Sequence, residues 1–289
     1  MADPTFKEWI ASLLEPSVLL SSAAYHFIIV VLEKMLLRGE VLAPILRLSQ
    51  IRDESFSRFW IKFSGARESE QTAAAEPVGS SALIPPLLAT ASGVVLDIGP
   101  GTGTQMHLFT HPNLTAMYGA EPCVGLHADL RAKISSCGLL SKYHILPCSA
   151  EPHALIPALQ KVGFSAAEIQ RGIFDTVVCV RVLCSVPNPR QTIRGLYDLL
   201  KPGGRMIVCE HVVNPWTTAK GSVVARLMQA VYTALGWSFF MGDCHMNRDT
   251  ERILKEVGEQ DGGWASVELE RSFGHGPLPY ISGVLVKRS

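Results

Sequence analysis

Val94-Val95-Leu96-Asp97-Ile98-Gly99-Pro100-Gly101-Thr102-Gly103 is the stretch on which the reading of this chain turns. An apolar run of strand character enters a turn carrying three glycines, with a carboxylate at the junction. Without a Cβ, the backbone at Gly99, Gly101 and Gly103 can reverse sharply and lie against a ligand. An acid and glycines at a strand end are how α/β folds hold nucleoside cofactors. The frame is not that of a dinucleotide site, which would place glycine at position 104, where Thr104 stands. An ordinary strand-to-helix turn uses the same residue types. The neighbouring motifs therefore decide.

Working outward, strands and helices alternate. The pattern predicts helix Ser81–Ala91, strand Val94–Ile98, helix Thr104–Phe109, strand Thr115–Ala120, helix Val124–Ser136 and strand Tyr143–Pro147. It continues with strand Phe174–Val180, helix Arg190–Leu200 and strand Arg205–Cys209. A helical insert follows, then two closing strands near Val267–Arg271 and Ile281–Lys287. Such alternation makes a mostly parallel sheet with helices on both faces. Glu121 closes the second strand 18 residues past Gly103, where a carboxylate can accept both hydroxyl protons of a ribose. Cys148-Ser149-Ala150-Glu151 follows the third strand and offers a small residue and backbone groups to an adenine edge. S-adenosylmethionine (SAM) is a nucleoside ligand without pyrophosphate, and its amino group would pair with Asp97.

Phe174-Asp175 opens the fourth strand, which runs through Val180 to Arg181-Val182-Leu183-Cys184-Ser185-Val186, and Lys201-Pro202-Gly203-Gly204 precedes the fifth. In this order the Asp97 glycine motif, Glu121, Ala150-Glu151, the Phe174-Asp175 strand and the Pro-Gly-Gly turn resemble the class I SAM-dependent methyltransferases of the type 11 group. Val182 to Val186 and Glu210-His211-Val212 are similar to the membrane-associated, methyltransferase-like thiol methyltransferases and their fungal relatives. The resemblance implies a seven-stranded Rossmann-like sheet, mostly parallel with an antiparallel last strand. It implies SAM held by Asp97, Gly99, Pro100, Gly101, Thr102, Gly103, Glu121, Ala150, Glu151, Val180 and Arg181. Arg181 departs from the family pattern, and its guanidinium is expected to reach the SAM carboxylate, the substrate or a surface partner.

On the acceptor side, His211 at the end of the fifth strand is the first candidate base, because imidazole titrates near neutrality. Asp243 and His245 are further candidates. Cys244 and His245 are too few for a metal site, so no metal is expected. Trp216 to His245 is rich in Trp, Phe, Tyr and Met and should form an apolar cap suited to a lipophilic small molecule. The expected reaction is methyl transfer to oxygen, sulfur or carbon of such a molecule, fitting secondary metabolism. Alternatives are a cyclisation or rearrangement on the same fold, and a noncatalytic SAM-binding subunit.

The chain has 289 residues, enough for one large domain and an appendage. Lys plus Arg and Asp plus Glu both number 26, so nothing draws it onto nucleic acid. Seven cysteines at irregular spacings read as reduced thiols in an intracellular protein, cytoplasmic or on the cytoplasmic face of the endoplasmic reticulum. Residues 1–63 form a helical extension. Pro16 to Leu32 carries no Asp, Glu, Lys or Arg, and Val41 to Phe63 mixes arginines with aromatics. Residues 17–63 therefore suit either a lid over the catalytic domain or peripheral contact with anionic lipid. Ser64 to Gly79 reads as an exposed linker, the catalytic domain starts near Ser80, and the oligomeric state is left open.

Overall fold

The computed structural model describes residues 4–73 and 77–289. Helix α1 (Phe6–Leu32) starts at Thr5, whose side chain and that of Glu8 form a reciprocal capping box. A π turn (Glu33–Leu37) and a short α2 (Ala43–Leu46) lead into α3 (Leu48–Ala73), which packs back along α1. Helix α4 (Pro85–Leu88), β1 (Gly93–Ile98), β2 (Leu114–Ala120), α5 (His127–Ser136) and β3 (Tyr143–Leu146) follow. Then come α6 (Pro152–Lys161), α7 (Ala166–Arg171), β4 (Phe174–Val180), α8 (Pro189–Leu199) and β5 (Leu200–His211). The chain closes with α9 (Val223–Ala234), α10 (Trp237–Phe240), α11 (Thr250–Val257), β6 (Trp264–Ser272) and β7 (Tyr280–Lys287).

The described strands form one seven-stranded sheet in the order β3-β2-β1-β4-β5-β7-β6. β1 through β5 pair in parallel, and β7 runs antiparallel to both β5 and β6. This is the expected Rossmann-like sheet. β1 and β4 are covered on both faces, so they read as continuous apolar runs, with Val95, Leu96, Val177 and Val178 essentially inaccessible. Chain reversal between β3-β2-β1 and β4-β5 puts a crevice at the carboxyl ends of β1 and β4, where ligands bind in open α/β sheets.

Several expected boundaries move for identifiable reasons. The helix expected over Ser81–Ala91 is a 3-10 turn (Gly79–Leu83) followed by α4, because Pro85 and Pro86 are tolerated only in a first turn. The helix expected over Thr104–Phe109 contracts to one 3-10 turn (Met106–Leu108), since Pro112 follows closely and cannot continue a helix. The linker expected over Ser64 to Gly79 is largely helical, because α3 runs on to Ala73. Positions 74–76 of that stretch lie outside the described residues. Ser64 is buried and accepts a hydrogen bond from Thr102 of the glycine turn at 3.0 Å. The extension is thus docked on the catalytic sheet rather than tethered to it.

Candidate active site

Beside the carboxyl ends of β1, β2, β4 and β5 lies one continuous cavity of about 1160 Å³. Pockets for a single small ligand run from about 300 to 1,000 Å³, so this one has room for a cofactor and a second molecule. Its floor is the glycine turn. Gly99, Gly101 and Gly103 all have positive φ, at 61°, 61° and 77°. A Cβ on Gly101 would stand 2.9 Å from Nε1 of Trp60, so α3 closes directly over the turn.

Glu121 is 4% exposed yet lines the cavity. Its Oε2 accepts from the Gly101 N–H at 2.9 Å, and its Oε1 from the Cys123 N–H at 2.8 Å. A carboxylate has about four lone-pair sites, so two remain for a diol. Burial raises the Glu121 pKa, and the bonds from Cys123 and Gly101 oppose that rise. Ser149, Ala150 and Glu151 form the adjoining wall, with the Ser149 hydroxyl donating to Glu151 at 3.0 Å. A buried acid with spare acceptors, glycines with no room for a Cβ beside Val182 and Trp60, and a small-residue wall fit SAM.

Not every expected cofactor contact is a wall residue. Gly99, Gly101, Glu121, Ala150, Glu151 and Arg181 line the cavity, whereas Asp97, Pro100, Thr102, Gly103 and Val180 do not. Asp97 was expected to meet the SAM amino group. Its Oδ2 instead accepts from the Tyr143 phenol of β3 at 2.9 Å, and the side chain is 5% exposed. Tyr143 reaches across β2 only because Gly119, the register partner of Asp97, carries no Cβ, which would collide with the phenol. Burial pushes the Asp97 pKa up to about 7. Asp97 thus braces the sheet beneath the glycine turn.

Arg181 has a φ of 56° and donates to the hydroxyls of Ser80 and Ser81 at 2.9 and 3.3 Å. Its guanidinium carbon lies 5.7 Å from the Tyr280 ring centre, and its buried Nε lacks a partner among the described residues. The guanidinium meets hydroxyls and an aromatic face on the cavity wall, which sets aside the surface-partner expectation.

At the far end, His211 is 5% exposed, and its Nε2 lies 3.0 Å from the Cys244 Sγ. Burial works against the imidazolium, the Cys184 thiol beside it outweighs that, and the His211 pKa ends above its ordinary value. A hydrogen bond to Cys244 together with burial pushes the Cys184 thiol well above the usual range. Of the other two acceptor-side candidates, Asp243 lines the cavity and His245 does not. Asp243 is ion-paired with Arg52 of α3 at 2.6 Å, with its side chain 65% exposed, so it fastens the cap to the extension. Burial followed by the charge of Arg248 lowers the His245 pKa.

The cap expected over 216–245 is present as α9 and α10, and Trp237, Phe239 and Met241 face the cavity. The lid alternative for residues 17–63 has its counterpart in α3, which supplies Ser57, Trp60 and Phe63 to the wall. The signal was there in Phe56, Phe59, Trp60 and Phe63, an aromatic stripe at helical spacing whose rings stack 5.6 to 5.7 Å apart. What sequence reasoning missed is Cys184, which joins His211 and Cys244 only through the fold.

Over 129 residues the chain is 36% identical to the thiol S-methyltransferase TMT1B of Rattus norvegicus, covering 43% of this chain and 48% of that protein. It is 26% identical over 170 residues to the phosphatidylethanolamine N-methyltransferase of Cereibacter sphaeroides, covering 58% of this chain and 72% of the relative. The chain thus spans about half the length of the first of these relatives. An O-methyltransferase family protein from Burkholderia thailandensis superposes with a TM-score of 0.47 at 15% identity, covering 87% of this chain and 63% of that one. The methyltransferase-domain family itself matches residues 70–263, two thirds of the sequence, and the chain belongs to that family, the class I SAM-dependent methyltransferases.

Proposed function

We propose that this protein methylates a lipophilic small molecule from SAM, with a thiol as the acceptor class. The observation that carries the reading is the single cavity joining the glycine turn and Glu121 to the aromatic cap and His211. SAM, when bound, supplies an electrophilic methyl group on a sulfonium. The protein's task is then to align donor and acceptor and keep water out, which accounts for much of the rate in such displacements. Glu121 and the backbone of the glycine turn fix the nucleoside end. Trp237, Phe239, Met241 and Tyr280 supply an apolar wall that binds a lipophilic acceptor and excludes water. A thiol must lose its proton to react, and the ionisable group at that end is His211 with its two cysteines. The curated relatives that are thiol S-methyltransferases support a sulfur acceptor over oxygen or carbon.

We also place the extension against a lipid surface. The segment Phe6–Leu37 is long and apolar enough to cross a membrane by length and composition, and only 17% of its most apolar window is buried. Leu36, Leu37, Ile45 and Leu46 at the hairpin tip are all more than 70% exposed. A contiguous apolar face of this kind marks an interaction surface, and arginines beside aromatics suit anionic lipid.

Calorimetric titration with SAM, followed by mass spectrometry of lipophilic thiols incubated with enzyme and SAM, tests the reading. Saturable SAM binding and a product heavier by one CH2 are expected. A product of unchanged mass would point to a rearrangement, and no SAM binding would remove the cofactor reading altogether.

A further inference from the structure

Cys184, His211 and Cys244 hold their ligating atoms within 4.8 Å of one another, and all three side chains are buried. They come from three separate places: the loop after β4, the end of β5 and the turn after α10. All three line the acceptor end of the cavity. We propose that they form a binding site for a thiophilic divalent cation, zinc, with a fourth coordination position open to the cavity.

The donor set is the first argument. Two sulfurs and an imidazole select zinc over hard cations, and Cys2His with an open position is a known arrangement for a catalytic zinc. Distances are the second. Zinc bonds of about 2.3 Å to sulfur and about 2.0 Å to nitrogen set tetrahedral edges of about 3.5 to 3.8 Å. The 3.0 Å edge from His211 to Cys244 opens, and the widest edge of 4.8 Å or less closes, by side-chain adjustment alone. Charge is the third, since two thiolates, a neutral imidazole and a divalent ion sum to zero, a state an apolar wall can bury.

Preorganisation is the fourth. The Glu210 carboxylate accepts from the N–H groups of Val182 and Leu183 at 2.8 and 2.9 Å, and Arg248 donates to the carbonyls of Leu183 and Val186 at 2.6 and 2.8 Å. The His245 N–H donates to the Cys184 carbonyl at 2.9 Å. Cys184 is therefore held on a pinned loop. The Trp237 indole N–H donates to Cys244 Sγ at 3.3 Å, the outer-shell bond that orients a ligating thiolate. His211 Nδ1 is buried without a partner among the described residues, which leaves one ring nitrogen uncommitted while Nε2 faces Cys244.

The identity of the fourth ligand rests on the methyl-transfer reading; the metal site itself does not. That ligand is the acceptor thiol. Coordination breaks its S–H bond, the proton leaves to solvent, and the sulfur binds zinc as thiolate in place of water.

Metal analysis of the purified full-length protein is the test, with about one zinc per chain expected to survive dialysis. Chelated apoprotein titrated with Co(II) should take up one equivalent and develop thiolate-to-cobalt charge-transfer absorption. Cys184→Ser and Cys244→Ser should lose that absorption, and Trp237→Phe should keep it with affinity about 10-fold weaker. A lipophilic thiol added to the cobalt form should shift the bands, and unshifted bands would overturn the open position. Folded wild-type apoprotein that binds neither ion at micromolar concentration would overturn the site, as would uptake unchanged in both cysteine variants. SAM titration of the same samples separates the two readings. SAM binding without metal ends this proposal alone, and metal without SAM binding ends the methyl-transfer reading alone.

Discussion

Glu121 is gripped by two backbone N–H groups and still faces the cavity, which makes it a brace for the glycine turn and a residue of the cavity wall at once. A hydrogen bond to a charged group contributes about 1.5–3 kcal/mol, so Glu121→Ala should weaken SAM binding by about 10- to 100-fold in calorimetry. Undiminished affinity would show that the ribose lies elsewhere. Asp97 differs, since its partner is Tyr143 and its pKa stands near 7 against an ordinary 3.8. A carboxyl whose folded pKa is raised contributes stability that is full below about pH 4 and is lost as pH climbs through about 7. Asp97→Asn accepts the same Tyr143 bond and cannot ionise. Each pH step of one between the unfolded and folded pKa values costs the wild type about 1.4 kcal/mol. In urea unfolding it should therefore lose about 3 kcal/mol relative to this variant between about pH 5 and pH 8. Parallel pH profiles of the two proteins would show that Asp97 is ionised throughout. The sequence placed both acids at strand ends correctly. It could not separate their roles, because that depends on Gly119 opening a path for Tyr143 from the far side of β2.

Between elements, the link that matters most is α3 to the cap. Arg52 donates to the carbonyls of Ser238 and Phe239, pairs with Asp243 and lies 5.0 Å over the Phe239 ring. The ion pair alone contributes little, since Asp243 is exposed and such pairs amount to about 0–1 kcal/mol. The carbonyl bonds and ring contact hold the cap over the cavity. Arg52→Ala should raise the KM for the acceptor several-fold while leaving SAM affinity unchanged, and Asp243→Asn should do much less. Equal effects would mean that the ion pair is the operative contact. Element types along the sheet were legible because each is a local pattern of apolar residues bounded by Gly or Pro. Helices α6, α7 and α11 were not assigned, and the helix after the glycine turn is shorter than expected, because a few apolar residues near a proline do not specify helix length.

On the scale of the molecule, the extension has two faces with different work. Leu13, Ala23 and Val30 of α1 turn inward, and Leu14, Val18, Tyr25 and Ile28 turn outward, so one helix both covers the cavity and presents an apolar surface. In flotation with anionic phospholipid vesicles the wild type should rise with the lipid. The double variant Leu36→Glu, Leu37→Glu should remain below, with SAM binding intact. Equal flotation would detach the hairpin tip from lipid contact. The two readings weighed for residues 17–63, lid and lipid contact, are compatible because they use opposite faces. No count of hydrophobic residues along the chain separates the faces when nearly every position is apolar.

By itself the sequence determined the sheet, its parallel core and the glycine turn that ends β1. Those depend on runs of five or so apolar residues, on glycines where backbone must approach a ligand and on acids at strand ends, all within a short window of chain. Only the tertiary structure decided that Trp60 of α3 closes over Gly101, that Asp97 serves Tyr143, and that Cys184, His211 and Cys244 meet. Each of these contacts joins residues dozens of positions apart. They exist because crossover connections bring the carboxyl ends of β1, β4 and β5 together at one end of the sheet, a consequence of topology that no local periodicity records.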